Sequence, residues 1–345
     1  MRKGCPYGTH RVIEPRGLLP QPAWKLDNSM NIYDNEVLID VEVLNIDSAS
    51  FTQIEEEAGG DEKKIAAIMT GIVKERGKHH NPVTGSGGML IGRAKEIGPA
   101  WRGKSPLEAG QRLATLVSLS LTPLRIDKIK KIHKDIDQVE IEGQAILFES
   151  GIFAVLPEDL PQTLSLAVLD VAGAAAQTAK LVRPGDRVVI IGAGGKSGLL
   201  CLFEARKRAG VTGQVIGIAP RETSKNRAES TGYCDVVLMA DAADALGIMN
   251  QVKAATGGAM ADVTINCVNI PNTELSSILA TRDGGLVYFF SMATSFTAAA
   301  LGAEGVGKDV TMIVGNGYTR DHAAISLNIM RESPVLRNIF EELYS

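Results

Sequence analysis

Four glycines in one short stretch carry the clearest chemical signal of this chain. Residues 183–198 read RPGDRVVIIGAGGKSG, with Gly192, Gly194, Gly195 and Gly198 directly behind an apolar run and Lys196 and Ser197 between the last two. A glycine loop between a strand and a helix offers free backbone N–H groups and the positive end of the helix to a diphosphate. Glycine is required because a side chain would hold the backbone off the phosphate oxygens. The spacing departs from G-x-G-x-x-G. Gly192, Gly194 and Gly198 stand one residue too far apart, whereas Gly192, Gly195 and Gly198 fit G-x-x-G-x-x-G. Dinucleotide binding is therefore predicted from the strand–loop–helix context as much as from the glycines.

The following strand bears on which nicotinamide is bound. In NAD sites a carboxylate after that strand accepts hydrogen bonds from the ribose 2′-hydroxyl. Here the strand ends GIAPR, so Ala219 stands where the acid is expected, and Arg221, Ser224, Lys225 and Arg227 follow. A missing anion and added cations favour a 2′-phosphate, and so NADP. Glu222 could still serve the hydroxyl, which keeps NAD open.

Such a loop needs a particular scaffold. Residues 187–191 are β-branched and almost wholly apolar, as in a strand buried on both faces. Residues 199–209 show helical spacing of apolar side chains. Further apolar strands are expected at 214–218, 235–239, 262–267, 286–291 and 310–314, with helices between. Six strands in this alternation predict an α/β fold with a Rossmann doubly wound parallel six-stranded sheet. Ligands of such sheets bind beyond the carboxyl ends of the strands. That rule gathers residues 219–225, Ala240, Asn266, Cys267, Val268, Ser291, Met292 and Gly315 around one crevice. Residues 163–181 read as helix, and 320–343 as two helices broken near Pro334.

The first 160 residues have a different texture. Residues 1–35, rich in Pro, Gly and Asn, read as extended chain and loops. Residues 36–46 alternate apolar and acidic side chains, as in a half-buried strand. Residues 61–76 place Ile65, Ile68, Met69 and Ile72 on one helical face with Asp61 at the start. A polar loop, 77–88, carries His79, His80, Asn81 and Ser86. Short strands are expected at 89–93, 112–118 and 144–155, and a solvated loop or helix face at the charged run 128–137. The reading is a β-rich domain over 1–160 and a dinucleotide domain over 161–333, with 334–345 returning to the first.

Composition bounds the partners. The chain has 345 residues, 45% hydrophobic and 22% charged, which is ordinary for a globular protein of about two domains. A net charge of −4 argues against nucleic acid or an anionic membrane as partner. No run approaches the ~18 apolar residues of a membrane span, and the N-terminus lacks the apolar stretch of a signal peptide. Cys5, Cys201, Cys234 and Cys267 are scattered, as in a reducing compartment. A cytoplasmic protein is expected.

In the order of its motifs, the chain resembles the medium-chain dehydrogenase/reductase superfamily. The strand EVLIDVEVLNI, then EAGQRLATLV, GIFAVLPEDL and RPGDRVVIIGAGGKSG follow one another as in that family. The resemblance implies a GroES-like β domain beside the Rossmann domain, with the active site in the cleft between them. Zinc members carry a Cys after the first strand and a His in a G-H-E run. This chain has Ile46-Asp47-Ser48-Ala49-Ser50 and Gly85-Ser86-Gly87 at those places. One Asp with serines does not make a tetrahedral zinc site, so no metal is expected. The five histidines lack ligand spacing, and His79-His80 reads as loop surface.

Without zinc, two chemistries stay open: reduction of an activated C=C bond by a quinone or enoyl reductase, and oxidation of an amine. An amine lone pair itself helps expel hydride once the nitrogen has lost its proton. A non-catalytic NADPH-binding protein is a third reading. A finer resemblance, in CPYGTHRVIEPRGLLPQPAWKLDNS, the helix at 61–76 and GSGGMLIGRAKEIGPAW, is to the diamino-acid dehydrogenases of lysine fermentation within the superfamily. It implies oxidative deamination of a small diamino acid with reduction of NAD or NADP, and a homodimer. Position in the family makes Asp47 the candidate proton acceptor. Ser48 and Ser86 are the candidates to hydrogen-bond the nitrogen or water, and Arg93 or His80 to hold the substrate carboxylate.

Overall fold

The structure, a computed structural model, describes residues 1–315 and 317–344. It divides into two compact units, Met1–Asp159 and Leu160–Ser345.

The first unit begins with a two-stranded antiparallel ribbon, β1 (Val12–Glu14) and β2 (Lys25–Leu26). β3 (Glu36–Asn45) follows, then the helices α1 (Ser48–Ala58) and α2 (Glu62–Arg76). The strands β4 (Met89–Ile97), β5 (Arg112–Thr115), β6 (Leu124–His133), β7 (Gln138–Phe148) and β8 (Phe153–Val155) complete it. They form an antiparallel sheet in the order β6-β7-β3-β4-β5-β8. The core joins Val37, Ile39, Val41 and Leu44 of β3 to Phe51 and Ile54 of α1 and to Ile65, Met69 and Val73 of α2. Burying each large side chain contributes about 1.5–3 kcal/mol. Asp61 caps α2 by accepting from the Lys63 amide at 2.8 Å, and Gly77 ends it at φ 70°.

Several elements differ from expectation: residues 144–155 divide between β7 and β8, the expected helix at 163–181 is two helices, and two further elements depart more. α1 was not foreseen. Its sequence, SASFTQIEEEA, is mostly polar, and only Phe51, Ile54 and Ala58 at helical spacing show a face to bury beside Ser50. The charged run at 128–137 is not a loop or helix face: most of it belongs to β6, an edge strand. Its lysines face water, with Lys130 bridging Glu142 at 3.2 Å. Charge on an exposed edge discourages pairing with other chains, so it masks the strand pattern.

The N-terminal residues are tied to β3 by a buried ion pair. Arg11 donates from Nε and Nη2 to the two Glu36 carboxylate oxygens, each at 2.6 Å, and from Nη1 to the Ser29 carbonyl at 2.7 Å. Both side chains are buried. Burial alone would raise the Glu36 pKa. Hydrogen bonds from Arg11 and His10, the Arg11 charge and the Tyr33 amide outweigh it and hold the carboxyl at about 2.

The second unit opens with α3 (Gln162–Leu169) and α4 (Ala172–Leu181). Then come β9 (Arg187–Ile191), α5 (Lys196–Ala209), β10 (Gln214–Ala219), α6 (Glu222–Ser230), β11 (Val236–Met239) and α7 (Ala245–Ala255). β12 (Ala261–Asn266), α8 (Glu274–Ala280), β13 (Thr281–Phe289), α9 (Phe296–Gly305) and β14 (Val310–Val314) follow, then α10 (His322–Glu332) and α11 (Pro334–Tyr344). All six strands are parallel, in the order β11-β10-β9-β12-β13-β14. This is the doubly wound arrangement, with its switch point between β9 and β12. Residues 334–344, expected to join the first unit, group with the second. α11 packs on α3, α5 and α10 of the second, burying Leu336 and Phe340. Among the described residues no single helix is long and apolar enough to cross a membrane.

Candidate functional site

In the second unit, β9 runs into a tight turn at Gly192, whose φ of 87° disfavours any side chain. The Gly192 and Ala193 amides donate to the Ile218 carbonyl at 2.9 and 3.0 Å. A Cβ on Gly194 would strike the Ser224 backbone, and one on Gly198 would strike the Gly192 carbonyl. Gly198 therefore lets α5 sit directly on the turn. Gly195 is the N-cap of α5 and supplies no capping side chain. A Cβ there would meet only the Gly192 oxygen, at 3.4 Å. The first-turn amides of α5 thus lack a side-chain acceptor at the positive helix end, where Gly195 is exposed. This cradle fits a diphosphate, with Lys196 and Ser197 on the first turn.

The surrounding residues divide. The Lys196 ammonium meets Asp170 at 3.0 Å and lies 5.3 Å from the Tyr344 ring centroid. Lys225 sits between Glu222 at 3.9 Å and Glu229 at 3.6 Å. The Ser224 hydroxyl donates to the Arg221 carbonyl at 2.8 Å, and Arg227 reaches the Gly194 carbonyl at 2.9 Å. Arg221 is exposed and, among the described residues, its side chain makes no ion pair or hydrogen bond. Ala219 is buried and no acid takes its place.

At the ends of β12 and β13, several side chains serve their own turns. The Asn266 amide donates to Thr273 Oγ1 at 2.8 Å and Ser277 Oγ at 3.0 Å, and its Oδ1 accepts from the Val268 amide at 3.0 Å. Cys267 Sγ lies 3.8 Å from Cys201 Sγ of α5; its contact with Cys201 and burial push its thiol pKa up. Ser291 Oγ accepts from the Ala293 amide at 3.1 Å. Val268 lies over Gly192, and Met292 is 86% exposed. These residues present backbone and apolar surface rather than free polar side chains.

The first unit holds a polar cluster of its own. Asp47, at the end of β3, is the N-cap of α1 and accepts from the Ser50 amide at 3.0 Å through Oδ1. Loop 77–88 is sewn to this end of the helix. Asn81 Nδ2 donates to Gln53 Oε1 at 2.8 Å, its Oδ1 accepts from Val83 at 2.8 Å, and the Ser50 and Thr84 hydroxyls meet at 2.5 Å. Gly87 and Gly88 permit the close approach: a Cβ on the first would strike the His79 carbonyl, and one on the second the Asn45 carbonyl. On the other side, Lys78 Nζ donates to the Pro20 and Gln21 carbonyls at 2.7 and 3.0 Å. Arg76 lies 3.8 Å over the Trp24 ring and donates to the His80 carbonyl at 3.0 Å.

His79 is fully buried, against the expectation of loop surface. Sequence reasoning missed it because the cover comes from residues distant in the chain. Neither ring nitrogen completes a hydrogen bond, although the Gly87 backbone lies near the ring. Asp47 Oδ2 and His80 Nδ1 are also buried without a completed hydrogen bond, although the Gly85 backbone lies near the His80 ring. Burial pushes the His79 pKa down to about 4, against the opposing pull of Gly87 and Asp47. His80 is lowered as well, by burial and by the charges of Lys78 and Arg76. Ser86 is half-buried on the same loop. Ser48 and Arg93 are placed differently. The Ser48 hydroxyl donates to Asp137 at 2.5 Å at the surface. Arg93 is exposed and paired to Glu42 at 3.1 Å, opposite Asp40 in the sheet. Neither joins the cluster.

Comparison with known proteins follows this division. Residues 10–157 match the family described as the L-erythro-3,5-diaminohexanoate dehydrogenase N-terminal domain. The chain is 63% identical over 342 residues to L-erythro-3,5-diaminohexanoate dehydrogenase of Acetoanaerobium sticklandii, covering 99% of each. It is 60% identical over 344 residues to the enzyme of that name from Fusobacterium nucleatum, covering 100% of each. The fold is shared with the Escherichia coli quinone oxidoreductase complexed with NADPH. The TM-score is 0.52 at 14% identity, covering 87% of this chain and 79% of that one.

Proposed function

The chain belongs to the L-erythro-3,5-diaminohexanoate dehydrogenase family, and from that premise we propose that it oxidises the 3-amino carbon of this diamino acid. The carbon becomes a ketone, giving 5-amino-3-oxohexanoate. Water supplies the oxygen, and the nitrogen leaves as ammonia. When bound, a nicotinamide dinucleotide supplies the hydride acceptor.

The protein's part is to handle the nitrogen. An ammonium has no lone pair to drive hydride loss, so a proton must leave first. The Asp47 carboxylate offers its unpartnered Oδ2 to hold the ammonium and take that proton. Ser86 orders the water that attacks the carbon. The observation that carries this reading is full-length identity of 60–63% to two enzymes of one name. The buried polar cluster supports it, because a quinone has no N–H or O–H to donate to Asp47 Oδ2, whereas an ammonium has.

For the cofactor, the absent acid at Ala219 and the unpaired Arg221 favour NADP. A homodimer joined at β14 is the proposed assembly. β14 is an edge strand of the parallel sheet, and its Val314 is 61% exposed. Four free cysteines fit the cytoplasm. The test is nicotinamide absorbance on adding L-erythro-3,5-diaminohexanoate with NADP or NAD, beside a quinone and an enone. Reduction with the diamino acid alone is expected; turnover of the quinone alone overturns the reading.

A further inference from the structure

Four of the eight buried side-chain polar atoms without a partner, among the described residues, lie in one place: Asp47 Oδ2, His79 Nδ1, His79 Nε2 and His80 Nδ1. Each such atom is costly to leave unpaired. Folded proteins keep few of them, so a cluster marks a missing occupant. The loop is not slack. Asn81, Thr84, Lys78 and Arg76 each fix it by hydrogen bonds to α1, to the N-terminal segment or within the loop.

We propose that His79 is a substrate-binding residue, whose ring nitrogen accepts a hydrogen bond from the reacting 3-amino group while Asp47 Oδ2 takes its charge. This rests on the substrate reading above and deepens it. The chemistry suits the position. A neutral imidazole offers one acceptor and one donor. It does not repel an ammonium, and it still has a lone pair to offer after the amine has lost its proton. Charged neighbours face it unequally: Asp47 favours a cation there, whereas His80 opposes one. The buried Lys78 and Arg76 are held by carbonyls and by the Trp24 ring rather than by carboxylates. After burial, their charges reinforce the neutral state of His80. A substrate carboxylate has no such fit, because Asp47 would repel it.

The experiment uses the whole enzyme and two probes. Ring resonances of ¹⁵N-histidine in the wild type are followed on adding L-erythro-3,5-diaminohexanoate, and separately 5-aminohexanoate, which lacks the 3-amino group. His79 is expected to shift with the first only. Shifts with both or with neither overturn the assignment. In parallel, His79→Phe is expected to raise KM for the diamino acid about ten- to a hundred-fold, with NAD(P)H affinity by fluorescence unchanged. His79→Gln, which keeps an acceptor, is expected to recover part of the loss. Equal KM in His79→Phe and wild type overturns the assignment. Failure of the wild type to turn over the diamino acid overturns the substrate reading and this inference together. Turnover with an unmoved His79 overturns this inference alone.

Discussion

Arg227 Nη1 donates to the Gly194 carbonyl oxygen at 2.9 Å, so one of the cations that stands ready for a 2′-phosphate in the sequence braces the phosphate loop instead. Arg221, exposed at the N-cap of α6, keeps its guanidinium free among the described residues. The two substitutions separate accordingly. Arg221→Ala should weaken NADP about ten- to a hundred-fold, as for a lost charged hydrogen bond, and leave NAD nearly unchanged. Arg227→Met should weaken both cofactors alike. Dissociation constants by nucleotide fluorescence check this, and equal losses in Arg221→Ala would sink the preference for NADP.

Gly198→Ala places a methyl against the Gly192 carbonyl, which belongs to backbone and cannot swing aside. Stability should fall by about 1–3 kcal/mol, and dinucleotide binding should be lost with it. Gly305→Ala is the control, since a Cβ at this helical position meets nothing within 4 Å. It should be neutral or stabilising by about 0.5–1 kcal/mol. Thermal melts with and without cofactor give both answers.

Asp47→Asn retains a good helix cap, because asparagine caps as well as aspartate. The melting temperature should hardly move. The charge that receives the ammonium is gone, so kcat/KM for the diamino acid should drop about 10²–10⁴-fold. Cofactor affinity should stay level. Unchanged turnover removes Asp47 from the chemistry.

Acid should weaken the first unit in two separate windows. The His79 pKa, pushed down by burial to about 4, lies below its ordinary 6.5, so the unfolded chain binds that proton first. Stability is lost as pH falls from 6.5 towards 4. Glu36 is an acid held at about 2 against an ordinary 4.5. Its contribution, roughly 3 kcal/mol, is complete above 4.5 and lost as pH falls towards 2. Both tryptophans, Trp24 and Trp101, lie in this unit, so urea titrations read by their fluorescence isolate it. Glu36→Gln should erase the lower window. It should also cost about 3–5 kcal/mol at pH 7, because Arg11 loses its buried counter-charge.

The second unit was the more legible half. Parallel strands covered on both faces must be continuous apolar runs, so 187–191, 214–218 and 310–314 stood out within a residue of their observed ends. Locally polar elements hid. The face of α1 rests on few apolar residues, and the lysines of β6 imitate a solvated loop. Asn266 stood at the right place in the strand order, but only tertiary packing reveals that Thr273 and Ser277 hold its amide. The buried polar cluster of the first unit was half visible. Asp47 and Ser86 came from motif position, while His79 is buried by residues far off in sequence. No local pattern announces such a histidine.

Lys78 and Arg76 hang from carbonyls and a ring contributed by residues 20–24, which makes the opening segment a mould for the loop rather than an appendage. A chain clipped by protease between the ribbon and β3 would separate two capacities that normally travel together. The glycine turn between β9 and α5, made of later residues, would survive the cut. The loop that carries His79 would lose these supports, and on the proposed role of His79 the selection of amines would fade with them.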